Sequence, residues 1–369
     1  LREKRFSLTG VMLIVGIVIF VVYLYTVGFW DVVAVIAALD VRIALSTVVI
    51  DLLCISLFVY SWYILMGRRV RFRSCYGIIL VSIFGDLMIP TASFSGEVLR
   101  ISMTCKKGMN VSECTASVLF HRLLHGLTFG VVVGVSLIFL TLTQAMQFAT
   151  LSLFVTFSVA TLAVGIIGAY AIFNIWKFQG VVEKILLRGE RIFRRFRKNY
   201  NSEETRRKII DGFISFDQTV MSVRGTTIAT ASAALTMRWF LVALIPYLMF
   251  ISLGHPVSYW IVLIVSIVVS MVQMIPIGIP GLVGVIELSM TTAFIGFGVP
   301  AGIAASATIL TRLVLFWFEL LLSAAVASYQ GIKSIPRRDR RKLCEAEGAG
   351  GGELLSKLET GEADKKEPA

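Results

Sequence analysis

Long apolar runs, parted by short polar connections, set the pattern of this chain. Residues 8–28, 42–66, 113–142, 149–177, 225–253 and 301–330 are each long enough to span a bilayer, since about 20 apolar residues cross roughly 30 Å of hydrocarbon. The first run follows LREKRF and lacks a small-residue cleavage site. It reads as an anchor rather than a signal peptide. Residues 30–39 (WDVVAVIAAL) form a short amphipathic piece suited to an interface. The pattern predicts an all-α integral membrane protein.

Two apolar stretches are interrupted. Residues 75–107 hold two arms separated by Pro90 and small residues that include Gly96. The first arm, 76–89, makes a helix of about 21 Å at 1.5 Å per residue, too short to cross. Residues 258–298 repeat the design around MIPIGIPGLVG, with Pro276, Pro280, Gly281 and Gly284. By hydropathy their arms are longer, so both crossing and re-entry stay open. Proline removes a backbone donor, and freed backbone groups at membrane depth survive only against protein or a wet cavity. Two broken, re-entrant hairpins joined to about six full spans are therefore expected.

Composition closes off other classes. Of 369 residues, 57% are hydrophobic and 16% charged, where soluble domains carry about a quarter charged. The formal net charge of +12 would suggest nucleic acid in a soluble chain. Here the bases lie between apolar runs, so they read as topology determinants and contacts to anionic lipid. Cys54, Cys75, Cys105, Cys114 and Cys344 are odd in number and scattered. Neither a disulfide framework nor a zinc site is expected.

The bases also orient the chain. Arg2, Lys4 and Arg5, RRVRFR at 68–73, Lys106 with Lys107, the 177–208 stretch and the 333–342 segment belong on the cytoplasmic side. Both termini are thus expected in the cytoplasm, with the first broken segment entering from inside and the second from outside. Residues 177–208 carry eleven Lys and Arg against four Glu, with Ile185, Ile192, Phe193 and Phe196 on one helical stripe. That suits either a helix on the inner leaflet or a plain positive-inside loop within 177–224. The tail, 336–369, turns acidic and Gly-rich and is expected to be disordered.

Within this layout a repeat emerges. Pro90, Glu97, Gly108 and Arg122 recur as Pro280, Glu287, Gly298 and Arg312, each 190 positions on. The flanks agree too, ASVLFHR matching SATILTR. The two units, about 42–142 and 232–332, should cross the membrane in opposite senses, which is the inverted-repeat plan of many transporters.

Ionisable residues inside the apolar runs are Asp51, Asp86, Glu97, Glu287 and Glu319 against Arg100, Arg122, Arg238 and Arg312. Each unpaired charge at a helix centre costs roughly 2.5–3.5 kcal/mol. Pairing around a shared polar interior is therefore expected, first as Glu97 with Arg122 and Glu287 with Arg312. Two readings of the glutamates stand side by side. They cap and shape half-helices, or they join the arginines in binding a lipid headgroup and its phosphate. His121 and His125 share a helix face. With Thr311 standing before the second arginine, polar contact or packing fits them better than metal. Asp51 and Arg238 meet Leu241 and Val48 under the repeat, so their partners stay open.

At PTASFSGEVLR…ASVLFHR and PIGIPGLVGVIE…ATILTR the sequence resembles the lysylphosphatidylglycerol synthase transmembrane region, or flippase-like domain, family over about 5–335. Its members typically show a Pro-x-x-Gly-Gly-Glu-x-x-Arg element and a Pro-Gly-Gly-x-Gly-x-x-Glu element. Here Ser95 stands where glycine is commoner, and the element from Pro280 to Glu287 is one glycine short. The resemblance implies a membrane module without the soluble synthase or glycosyltransferase domain of its relatives, hence no enzyme and no cofactor. It further implies a flippase for a phospholipid or polyprenyl-phosphate-type headgroup in a prokaryotic plasma membrane. Glu97, Arg100, Arg122, His125, Glu287 and Arg312 are the expected lipid-binding residues. An integral membrane enzyme acting on a lipid phosphate, a small-solute transporter and a scaffold are the competing readings.

Overall fold

The computed structural model describes residues 40–89, 94–143 and 218–334 except Pro276, with scattered positions elsewhere such as 17–23. Pro90, most of runs 8–28 and 149–177, most of the amphipathic piece 30–39, the basic stretch 177–208 and the tail lie outside the described residues.

The first unit comprises α1 (Val41–Leu65), α2 (Phe72–Met88), α3 (Phe94–Cys105) and α4 (Val111–Thr143). The second comprises α5 (Gly225–Ser252), α6 (Tyr259–Gln273), α7 (Val285–Gly296), α8 (Ala301–Arg312) and α9 (Glu319–Ser334), the last two joined through a π-helical stretch, Leu313–Phe318. Among the described residues, four helices are long and apolar enough to cross a membrane: Val41–Leu65, Val111–Phe139, Gly225–Ser252 and Ala301–Gln330. The protein is an all-α membrane protein.

The duplication appears element by element. Val111 and Ala301 open equivalent helices, and Gly108 and Gly298 turn the chain before them at φ 96° and 83°. The second broken segment corrects one expectation. Its arms have 15 and 12 residues, against 17 and 12 in the first. At 1.5 Å per residue these are about 18–26 Å long, so no arm spans the hydrocarbon alone. Apolar composition runs on through the MIPIGIPGLVG break, whereas the helical hydrogen-bond ladder stops there.

The units run in opposite directions. The Asp40 N–H at the start of α1 donates to Ser252 O at the end of α5 (3.0 Å). Ile64 and Leu65 pack at the other end with Ala231 and Leu235. Helices α1 and α5 are thus antiparallel. Each unit's final helix packs on the other unit's first hairpin arm. Leu322 and Val326 of α9 meet Ile78 and Ile79 of α2; Phe129 and Val133 of α4 meet Leu263 and Ile267 of α6. In addition, α2 touches the Pro280–Leu282 break of the second hairpin. The exterior is apolar, with Leu45, Val49, Leu142 and Leu321 well exposed, while Arg100, His121 and Glu287 are buried. This reversal of the soluble pattern follows from a hydrocarbon solvent.

Candidate functional site

Both expected ion pairs form within their own unit. Glu97, in the first turn of α3, accepts from Arg122 Nη1 of α4 at 2.5 Å. Glu287, in the first turn of α7, accepts from Arg312 Nε of α8 at 2.8 Å. Their surroundings differ. Side-chain exposure is 40% for Arg122 and 13% for Glu97, but 7% and 4% for Arg312 and Glu287. Arg312 Nη2 also donates to Gly281 O (2.8 Å), and Glu287 Oε2 accepts the Gly284 N–H (2.7 Å). Glu287 therefore caps α7 and neutralises Arg312 at once.

Glu97 corrects the capping expectation. In the first unit the Gly96 N–H donates to Asp86 Oδ1 of the opposite arm (2.7 Å), as does Ser95 Oγ (3.1 Å). Asp86 thus ties the hairpin arms together and leaves Glu97 to Arg122. Gly96 is required by this close approach. A Cβ there would lie 2.3 Å from Asp86 Oδ2 and 2.6 Å from Ser82 Oγ. Gly96→Ala is expected to cost about 1–3 kcal/mol, the usual range for overpacking, read as earlier thermal unfolding in micelles. An unchanged transition would show that the arms do not press together at Gly96.

Arg100 and Arg238 are bound differently. Arg100, only 3% exposed, places its guanidinium carbon 4.4 Å from the Trp62 ring centroid and 5.6 Å from that of Phe58. Its Nη2 lies 3.3 Å from His121 Nδ1, and His121 Nε2 lies 2.8 Å from Ser61 Oγ. Arg238 places its guanidinium carbon 5.1 Å from the Phe58 ring centroid, with Nη1 3.2 Å from His125 Nε2. His125 in turn stacks on Trp239 (4.8 Å). A guanidinium only donates, so His121 Nδ1 and His125 Nε2 present lone pairs and the imidazoles serve as neutral spacers. Among the described residues neither Arg100 nor Arg238 has a carboxylate within ion-pair distance, and the Nε of each is buried without an acceptor.

All four arginines line one cavity of about 390 Å³ between the units, with Asp86, Glu97, His121, His125 and Glu319. That volume falls within the range of small-ligand pockets, about 300–1,000 Å³. Cavity residues that sequence reasoning left unassigned include Phe58, Ser82, Ser266, Ser270 and Gln273. Phe58 and Trp62 lie four apart on α1 and so share a face, over which Arg100 packs. Of the expected loop residues, Pro280, Gly281 and Gly284 form the second break, with Gly281 and Gly284 at φ 60° and 85°; Pro90 and Pro276 are outside the described residues.

Sequence similarity to other membrane proteins extends over most of the chain. A UPF0104 membrane protein of Pyrococcus horikoshii is 24% identical over 322 residues, covering 84% of this chain and 94% of the relative. One from Methanothermobacter thermautotrophicus is 22% identical over 330 residues, covering 87% and 95%. Another, from Archaeoglobus fulgidus, is 22% identical over 271 residues, covering 73% and 80%. The family model described as the lysylphosphatidylglycerol synthase TM region matches residues 8–323, a range that takes in both hairpins, both ion pairs and the cavity between them, and the chain belongs to that family.

Proposed function

We propose that this protein moves the headgroup of an anionic phospholipid, or of a lipid-linked phosphate, between leaflets through the cavity while the acyl chains stay in lipid. The observation that carries this reading is the pair Arg100 and Arg238, two guanidiniums that meet no carboxylate at ion-pair distance among the described residues, on a cavity of headgroup size between antiparallel units. Buried uncompensated cations are costly, and a phosphate offers the charge-assisted bonds they lack. Arg122, half-exposed to the same space, can exchange Glu97 for a passing phosphate. Glu287 and Asp86 are held by arginine or backbone N–H groups, which favours transport over acid–base chemistry at those two carboxylates. The site is proposed to lie in the cell membrane with both termini cytoplasmic, as the basic segments direct.

The test is transfer of a fluorescent phosphatidylglycerol between leaflets of reconstituted vesicles. Glu97→Gln and Arg122→Ala are expected to remain folded and to slow transfer roughly tenfold or more, the factor for 1.4 kcal/mol of lost stabilisation. Wild-type rates in both variants would overturn the reading, as would metal-dependent chemical turnover of the labelled lipid.

A further inference from the structure

The duplication reproduces Glu97 with Arg122 but not the other buried charges. Asp51, Arg238 and Glu319 stand opposite Leu241, Val48 and Phe129, yet the fold brings the three together. Asp51 of α1 is 1% exposed, and neither of its carboxyl oxygens meets a hydrogen-bond donor among the described residues. The carboxyl group it interacts with is that of Glu319. Glu319 opens α9 directly after the π-helical stretch and reaches the cavity. Arg238 on α5 is the adjacent cation, with its guanidinium turned to His125. Arg312 of α8 and the Cys54 thiol complete the charged and titratable surroundings.

Two neighbouring carboxylates repel, and a hydrogen bond between them forms only when one carries a proton. An ionised Asp51 without a donor would be an uncompensated buried charge.

We propose that Asp51 and Glu319 form a proton-binding carboxyl pair whose occupancy is linked to an anion in the cavity. An anion drawn to Arg238 weakens that cation's field at the pair and adds its own negative potential, so the pair holds its proton more tightly. Linkage is reciprocal, and protonation therefore favours the anion. Resting on the headgroup reading above, this makes the lipid and the proton co-substrates.

Infrared difference spectra of the full chain in lipid-free micelles test the pair. A protonated-carboxyl C=O band is expected in the wild type at neutral pH and should be lost in both Asp51→Asn and Glu319→Gln, where the surviving carboxylate is free to pair with Arg238. Absence of the band, or its retention in both variants, overturns the proposal. Dioctanoyl phosphatidylglycerol added in weak buffer with a pH dye is expected to draw protons from solution in the wild type and none in Asp51→Asn. Its affinity should fall as pH rises through the pair's titration, and the variant should lose that dependence. Binding without uptake overturns the linkage. A variant-sensitive band in a wild-type protein that transfers no lipid supports the pair and sinks the headgroup reading. Lipid transfer with no band does the reverse. Should either variant misfold, the wild-type band and its loss on raising pH decide alone.

Discussion

Glu287→Ala is expected to lower the unfolding free energy by about 3–5 kcal/mol, the usual result of removing one member of a buried ion pair. The change strips Arg312 of its counter-charge where neither side chain is more than 7% exposed. It also leaves the Gly284 N–H at the start of α7 without its acceptor. Glu287→Gln keeps an oxygen for one of these bonds and should fall between Ala and wild type. Removing both charges, as Glu287→Gln with Arg312→Met, should recover part of the loss, since no isolated ion then remains. At the corresponding pair Glu97→Gln is expected to cost about 1 kcal/mol or less, because Arg122 is 40% exposed and screened. Thermal unfolding in micelles reads all four proteins. Equal losses at positions 97 and 287 would contradict this division, in which the second pair holds the fold and the first is free to work.

Gly281→Ala should rank next. Gly281 lies at φ 60°, where a side chain costs about 1–2 kcal/mol. Its added Cβ would fall 2.2 Å from Phe316 Cε2 and 2.4 Å from Cζ, and displacing that ring adds about 1–3 kcal/mol. The ring cannot move alone, since Arg312 stacks on it at 4.3 Å while bonding Gly281 O. Helix break, aromatic ring and buried cation would shift together. Gly302→Ala is the control. A Cβ there meets nothing within 4 Å, and alanine is the better helix former, so the variant should unfold at or slightly above the wild-type temperature. A Gly281 variant behaving like the Gly302 one would mean that Phe316 does not press on the break.

Much of the fold was legible because a spacing carried it. Charges and turn glycines recurring 190 positions apart located equivalent helices, and the 25-residue separations of Glu97 from Arg122 and Glu287 from Arg312 identified pairs that the structure joins. What stayed hidden came from contacts with no periodic trace. Asp86 reaches Gly96 across a hairpin tip, and Arg238 meets His125 over 113 positions. Asp51 and Glu319 approach only because α1 and α9 both pack about the cavity. Their lack of charged counterparts was the available sign. The short arms of the second hairpin were misjudged for another reason: hydropathy measures side chains, whereas the break at Pro280 and Gly281 is a backbone event.

The apolar exterior has a consequence for how this chain tolerates change. In a water-soluble domain the outer residues drift freely within polar types and the centre is held by volume. Here outward positions such as Leu45 and Leu321 can exchange among oily side chains with little effect, whereas a swap as mild as lysine for arginine at the centre alters fork geometry and hydration together. Variation among natural copies should therefore be broad and greasy outside, and sparse where the guanidinium groups sit.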